Sequence, residues 1–395
     1  MKILLIRQFN PFFESGASGN RFRGLIDGLR KCGNTVDIAV VKGFTKRNEA
    51  SISEVGTNYL SYANHYSYWQ TRMNNYIFDR LHAISAARRF SKLDYNSYDI
   101  IWITTDMMVL DLYAKFCGKI KAKTLIELNE FIDFYQNANY NILQVRKARK
   151  ASELFKEVVG KIDLFAVMTN TLIDYYRNMA DKNARFLHLP MTVDLNRFRE
   201  VDSNNEFEIP YIGFCGSMDK TKDGVDILIK AFMKIAHKYP DVKLLMAGFY
   251  TYDTPDILKI ILDNKMEERI KYIGSMDRAK IPSFISNAIT LALSRPDSHQ
   301  AQGGFPTKLG EYLATGKPVC VTKVGEIPEY LEDNVSAFMA NPGDVDSFAD
   351  ALDRALGNPN LAITVGQAGK CIAETIFNSD IQAKRLSDFL EINLL

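Results

Sequence analysis

Long apolar runs are missing from this chain of 395 residues, and cysteine is scarce. The N-terminal MKILLI has only five apolar residues before Arg7. That is too short for a signal peptide and far short of the roughly 20 residues a membrane helix needs, so the run reads as a buried first strand. The five cysteines, Cys32, Cys117, Cys215, Cys320 and Cys371, are odd in number, widely spaced and mostly set in apolar stretches. This argues against a disulfide framework or a zinc site and suits reduced thiols in a cytoplasmic protein. Histidine is equally sparse: His65, His82, His188, His237 and His299 show no ligand spacing. The one Asp-x-Asp, Asp344 to Asp346, follows Pro342-Gly343 at a helix start, where capping accounts for it. No metal and no cofactor are therefore expected. A dinucleotide fingerprint is also absent. The first strand runs into Gly16 and Gly19, spaced GxxG, and the second closes VDIAVV without an acidic end, which disfavours a dehydrogenase. Glycines at 16 and 19 would let backbone approach a ligand, although an ordinary strand-to-helix turn explains them equally.

What is present points to two α/β domains. Apolar residues at 47% and charged residues at 24% are ordinary for a soluble globular chain, and the length suits two domains of roughly 200 residues. Apolar runs of strand length fall at 3–6, 36–41, 100–103, 124–128, 164–167 and 186–189, with helical patterns between them. In 20–31, for example, Phe22, Leu25, Ile26 and Leu29 fall at i, i+3, i+4 and i+7. The polar stretch 194–210 interrupts the pattern as a candidate linker. It restarts with strands at 211–214, 243–247, 270–273, 289–293 and 319–322 and a helix over 224–238. This alternation predicts two Rossmann-like, doubly wound domains, 1–195 and 208–377, facing each other across a cleft. A helical pattern in the last residues, 378–395, either crosses back to the first domain or packs on its own. Ligands are expected beyond the carboxyl ends of the strands.

The net charge of +2 hides an asymmetry: residues 1–200 carry 29 Lys+Arg against 20 Asp+Glu, and the remainder 20 against 27. Arg146, Lys147, Arg149 and Lys150 cluster on one predicted helix. Residues 59–90 mix Tyr62, Tyr66, Tyr68, Trp69, Tyr76 and Phe78 with Arg72, Arg80, Arg88 and Arg89. Basic plus aromatic residues fit peripheral contact with an anionic inner membrane, and a solvated helix face is the alternative. No nucleic-acid motif accompanies the charge.

The most informative segment is 294–322, SRPDSHQAQGGFPTKLGEYLATGKPVCVT. It reads as a loop with Gly303 and Gly304, then Phe305 and Pro306 leading into a helix that carries Thr307, Lys308 and Glu311 and stops at Gly316. Free backbone N–H groups at such a helix start attract phosphate. Thr307 and Glu311 lie roughly 6 Å apart along the axis, about the span from a diphosphate to ribose hydroxyls. Lys220 and Lys222, ahead of the helix near Gly224, can reach the same phosphate. Asn129 and Glu130 are polar groups at the carboxyl end of the strand 124–128. Gly274 follows the strand 270–273, and His299 lies within the central motif.

In order, GSMDKTKDGVDILIKAF, PDVKLLMAG, FPTKLGEYLATGKPVCVT and GEIPEYLEDNVSAFMANPGD resemble the donor half of retaining GT-B glycosyltransferases, family 4 in particular. LHLPMTVDLNRF is similar to the segment that ends their N-terminal domain. The resemblance is strong over 211–344 and weak before it. It implies transfer of a hexosyl group from a UDP- or GDP-sugar to a glycan or lipid-linked acceptor, with retention, in surface polysaccharide assembly. It places Lys222 on the donor diphosphate and Glu311 on the ribose. Three departures stand out. Ser217 replaces an arginine, Gly303 replaces the first of two glutamates eight apart, and Asn129 replaces a histidine near the acceptor. Lys308 would supply the missing cation. Gln302 or the amides of Gly303 and Gly304 would hydrogen-bond the donor sugar, and Glu130 is a candidate base. A nucleotide-sugar epimerase of the same fold and a non-catalytic nucleotide-sugar binding homologue remain the alternatives.

Overall fold

The computed structural model describes residues 1–41 apart from 13 and 15, then 59–61, 91–132 apart from 92, 142–199, 201, 207 and 209–394. The aromatic and basic residues named between 62 and 90, with His65 and His82, lie outside these. The chain divides into two compact units, one of Met1–Leu189 with Gln382–Leu395 and one of Pro190–Ile381.

The first unit is built on seven parallel strands: β1 (Lys2–Arg7), β2 (Thr35–Val40), β3 (Tyr59–Ser61), β4 (Ile100–Ile103), β5 (Lys123–Leu128), β6 (Leu164–Val167) and β7 (Arg185–His188). Their order is β3-β2-β1-β4-β5-β6-β7. The apolar runs of β1, β4 and β6 are buried on both faces, as parallel strands covered by crossover helices must be. The helix Ala17–Lys31 puts Phe22, Leu25, Ile26 and Leu29 into the core beside Ile3, Leu5, Ile38 and Trp102. From the chain's far end, the helix Ser379–Ile392 adds Ala383, Leu386 and Leu390 to the same core. There Asn34 Nδ2 donates to Ser387 Oγ (2.8 Å) and Arg385 Nη2 to the His188 carbonyl (3.2 Å).

The second unit carries six parallel strands: β8 (Tyr211–Ser217), β9 (Lys243–Phe249), β10 (Ile270–Tyr272), β11 (Thr290–Leu293), β12 (Val319–Thr322) and β13 (Phe338–Ala340). They run in the order β10-β9-β8-β11-β12-β13. In each sheet the chain turns from winding one way to winding the other between two central strands, β1 and β4 in the first unit and β8 and β11 in the second. Loops diverge at such a switch point and leave a crevice beyond the carboxyl ends. The amphipathic helix Val225–Ile235 buries Val225, Leu228, Ile229, Phe232 and Ile235 against β8 and β9.

Four expectations shift. The division falls at Pro190, ahead of the polar stretch 194–210. Backbone bonds hold the chain just ahead of that stretch in the second unit: Val193 N–H donates to the Phe377 carbonyl (2.7 Å) and Ser379 N–H to the Val193 carbonyl (3.0 Å). Two short edge strands, β3 and β13, were not anticipated. The helix expected over 20–31 begins at Ala17, capped by Gly16. Gly303 is not in a loop but closes the helix His299–Gly303, whose Ser298 cap accepts from Ala301 N–H (3.1 Å).

Among the described residues no helix is long and apolar enough to cross a membrane, and no three His, Cys, Asp or Glu side chains are grouped to hold a metal. All five cysteines are free. Asp344 caps the helix Val345–Gly357 by accepting from Ser347 N–H (3.0 Å).

Candidate functional site

The residues singled out in the second half of the sequence come together at the switch point of the second sheet. The loop after β8 ends at Gly224, whose φ of 65° lies in the left-handed region. A Cβ there would collide with the Ser294 carbonyl, so only glycine lets the two loops touch. Ser294, just past β11, locks the contact by donating through Oγ to the Gly224 carbonyl (2.8 Å). The helix Thr307–Ala314 is seated against β8 by Tyr312, whose hydroxyl accepts from Cys215 N–H (2.7 Å) and donates to the Cys215 carbonyl (3.3 Å). Leu309 and Leu313 are buried beneath it. At Gly310 a Cβ would come within 2.6 Å of Met191 Sδ, so the helix lies close against the 190–193 segment. Gly316, at φ 72°, ends the helix, as expected.

This seating fixes Lys308 and Glu311. Lys308 Nζ donates to Asp223 Oδ2, and the Ser217 amide donates to the same oxygen (3.1 Å). The side chains of Lys308 and Asp223 are 19% and 4% exposed. The ammonium fills the space left by Gly216, where a Cβ would collide with it, and stands 5.4 Å from the centre of the Phe214 ring. Lys308 thus reaches the β8 terminus beside Ser217. Asp223 was missed in the sequence because its ion-pair partner lies 85 residues away. Glu311 pairs through Oε1 with Arg197 Nη1, and Arg197 Nη2 donates to the Arg278 carbonyl (3.5 Å). Burial, then the adjacent Arg197 guanidinium, lower the Arg278 pKa below the usual arginine range, with Glu311 opposing. Burial, reinforced by Glu311, pushes the neighbouring Cys215 thiol up to about 12, which excludes a thiolate nucleophile here.

The other residues marked in the sequence divide. Lys222 is exposed, and its amide donates to Asp219 Oδ1 (2.6 Å) in a tight turn that also takes the Thr221 amide (2.7 Å). Lys220 instead ion-pairs with Asp256 (2.7 Å). Gly274, at φ 80°, follows β10, and its carbonyl accepts from Gly248 N–H (2.9 Å) at the same rim of the sheet. Gln302 is exposed and donates to Asp297 (2.6 Å). Gly303 and Gly304 are buried. Their segment is pinned by Arg295, whose Nη2 donates to the Gln300 carbonyl (3.3 Å), and by Gly325, where a Cβ would lie 2.7 Å from the Ala301 carbonyl. The Phe305 side chain is core, packed on Tyr330 and Phe377 at 5.6 and 5.4 Å between ring centres, so only its backbone is left for a ligand. Pro306 caps the Thr307 helix without a side-chain bond, which leaves its first amides open. His299 is exposed at the start of its short helix.

In the first unit, Asn129 and Glu130 do follow β5. The Glu130 carbonyl accepts from Tyr176 Oη (3.0 Å), which in turn accepts from Ile132 N–H (3.0 Å), so the turn is braced while the Glu130 carboxylate is exposed. Gly16 opens the Ala17 helix with open space around it. Gly19 is a correction: a Cβ there would sit 2.6 Å from Glu14 Cβ, so this glycine serves packing against the preceding loop rather than approach to a ligand. At this sheet's switch point Arg7 pairs with Glu14 (3.0 Å) and donates to Ser18 Oγ (2.9 Å), a buried cation the sequence did not mark.

Residues 209–358 match the family model described as Glycosyl transferases group 1. The chain is related to the group 1 glycosyl transferases. It is 31% identical over 134 residues to the amylovoran biosynthesis glycosyltransferase AmsK of Erwinia amylovora, covering 33% of this chain and 32% of that one. It is 25% identical over 219 residues to a GDP-mannose-dependent phosphatidylinositol monomannoside mannosyltransferase of Mycolicibacterium smegmatis, covering 53% and 56%. The alignments thus span between a third and just over half of those relatives. Whole-chain similarity appears in solved structures. Sucrose-phosphate synthase from Thermosynechococcus elongatus superposes with a TM-score of 0.75 at 18% identity over 99% of this chain and 98% of that one. HepE of Anabaena, solved in complex with UDP, gives 0.70 at 15% identity over 99% and 100%. The fold is GT-B, as expected from the sequence.

Proposed function

We propose that the protein transfers a hexosyl group from a UDP- or GDP-sugar to a glycan or lipid-linked acceptor, with retention of configuration and without a metal, in surface polysaccharide biosynthesis. One observation carries this reading. At the switch point of the second unit a single helix offers open N-terminal amides, the Lys308 ammonium beside the Ser217 amide, and Glu311 one turn further on. That row matches the phosphate, phosphate and ribose of a nucleoside diphosphate. The names of the relatives and the UDP complex of HepE support the donor class.

As the anomeric C–O bond to the donor's β-phosphate breaks, negative charge grows on the leaving diphosphate. Lys308, Lys222 and the helix amides stabilise that charge. The acceptor oxygen takes the anomeric carbon on the same face, and its proton passes to a diphosphate oxygen. The donor sugar is held by Gln302 and the Gly303 and Gly304 backbone in place of the absent carboxylate. Asn129 and Glu130 serve the acceptor side. The deciding experiment incubates the protein with UDP- and GDP-sugars and follows free nucleotide. Release of UDP or GDP that requires an added lipid-linked oligosaccharide is the expected result, and absence of saturable binding for both nucleotides overturns the reading.

The same reading includes peripheral contact with an anionic membrane. In the helix Ile142–Val159, Ile142, Leu143 and Val145 are exposed on the first turn, and Arg146, Lys147, Arg149 and Lys150 are exposed on the next two. An apolar tip backed by cations about one turn behind fits insertion at the headgroup boundary. Each basic residue near an anionic surface contributes about 1 kcal/mol. Changing all four to Gln is therefore expected to cut co-sedimentation with phosphatidylglycerol vesicles by roughly two orders of magnitude or more, leaving phosphatidylcholine vesicles unaffected. Equal sedimentation of both proteins would discard the contact.

A further inference from the structure

We infer that Arg197 is a positioning residue for the nucleotide: it holds the Glu311 carboxylate in the orientation that accepts hydrogen bonds from the ribose hydroxyls. The inference deepens the proposed function and rests on its assignment of Glu311 to the ribose.

Arg197 sits on the short helical turn Leu195–Phe198. The turn is rigid at its start, where Asp194 Oδ1 accepts from both the amide and the side-chain Nδ2 of Asn196, each at 3.0 Å. It is held in the second unit by the Val193 backbone bonds to Phe377 and Ser379. From this base the guanidinium reaches across to Glu311, 114 residues away in sequence. It is fixed at two points, Nη1 on Glu311 Oε1 and Nη2 on the Arg278 carbonyl, and lies over the Phe198 ring at 5.7 Å. The side chains of Arg197 and Glu311 are 13% and 20% exposed, so the pair is largely withdrawn from water yet open on one side.

Glutamate has three rotatable side-chain bonds, and a ribose diol is recognised only if both hydroxyls find acceptors at once. A planar guanidinium whose second nitrogen is tied to the Arg278 carbonyl is itself fixed, so its bond to Oε1 sets the direction of the carboxylate more tightly than a freely rotating ammonium would. Each carboxylate oxygen accepts more than one hydrogen bond, so a bond from Arg197 to Oε1 leaves acceptor capacity for a diol. Arg197 therefore acts through Glu311 and need not touch the ligand. A pair that served stability alone would show no preference among nucleotides.

Nucleotide selectivity supplies the test. Binding of UDP, GDP and their 2′-deoxy counterparts is measured by calorimetry for the wild type, Glu311→Gln, Arg197→Ala, Arg197→Gln and Arg197→Lys, each checked for folding by circular dichroism. A hydrogen bond to a charged acceptor is worth about a factor of ten or more in affinity, so the wild type is expected to favour the ribonucleotide at least about tenfold. Arg197→Ala and Arg197→Gln are expected to reduce that ratio to about threefold or less, with affinity for the 2′-deoxynucleotide held within about twofold, and Arg197→Lys is expected to restore part of the ratio. If Arg197→Ala does not fold, Arg197→Gln reads the same ratio. A wild-type ratio kept by the folded Arg197 variants and lost in Glu311→Gln overturns the role of Arg197 and leaves Glu311 on the ribose. Equal binding of ribo- and deoxynucleotide by the wild type overturns the Glu311 assignment itself.

Discussion

Replacing Lys308 by alanine is expected to lower turnover by about two to three orders of magnitude, the usual effect of removing one preorganised group that stabilises transition-state charge. The structure shows why the single variant would mislead if read alone. Asp223 is almost fully buried, and with Lys308 gone its carboxylate keeps only the Ser217 amide as a short contact. Leaving one partner of a buried ion pair unmatched destabilises by roughly 3–5 kcal/mol, so part of any lost activity could be lost fold. Lys308→Ala combined with Asp223→Asn separates the two effects. An amide in place of the carboxylate removes the stranded charge, so the melting temperature should return most of the way to wild type. Turnover should not return, because the cation beside the β8 terminus is still missing. The measurement is kcat with saturating donor alongside thermal unfolding of the same samples. A double variant that turns over at the wild-type rate would remove Lys308 from the mechanism and shift the burden to Lys222 and the helix amides.

The difference between what was legible in the sequence and what was not follows the range of the interactions. Strands such as Ile100–Ile103 and Val319–Thr322 announce themselves because a parallel strand buried on both faces is a nearly continuous apolar run. The helix carrying Lys308 and Glu311 was legible because its start and stop are local, Pro306 before it and Gly316 after it. The three-residue strands Tyr59–Ser61 and Phe338–Ala340 are too short to show a period, and neighbouring strands define them. The helix at His299 was hidden because Gly303 and Gly304 signal a turn, while the Ser298 cap is a feature loops share. The partners Asp223 and Arg197 left no trace, since nothing local marks an ion pair closed across 85 or 114 residues. The sequence thus drew attention to Lys308 and not to Asp223, the carboxylate that holds it.

The first unit contains a second buried pair. Replacing Glu127 by alanine is expected to destabilise the protein by roughly 3–5 kcal/mol, the same range as for breaking the Lys308 pair. Glu127 lies on β5 and accepts from Arg21 Nε, with the side chains 0% and 2% exposed. Arg21 Nη2 also donates to the Leu189 carbonyl (2.9 Å), so the guanidinium ties the Ala17–Lys31 helix to the end of the last strand's extension. Removing Glu127 strands a cation in the interior, where its desolvation is no longer offset. For a unit of this size each kcal/mol lowers the melting temperature by about 2–4 °C, so a fall of roughly 10 °C is expected in a thermal melt. The double change Arg21→Met with Glu127→Leu removes both charges together and should recover most of that loss, because a well-packed apolar pair often equals or exceeds a buried ion pair in stability. Recovery by the double variant and not by Arg21→Met alone would establish that the unmatched charge, and not lost volume, is the cause. Asn129 follows Glu127 by two residues on the same strand end. The recovered double variant then tests whether the pair also sets the position of the proposed acceptor-side residues: a normal melt with impaired acceptor saturation would place Arg21 and Glu127 in support of that site. A melt unchanged from wild type in Glu127→Ala would show that the pair carries little of the unit's stability.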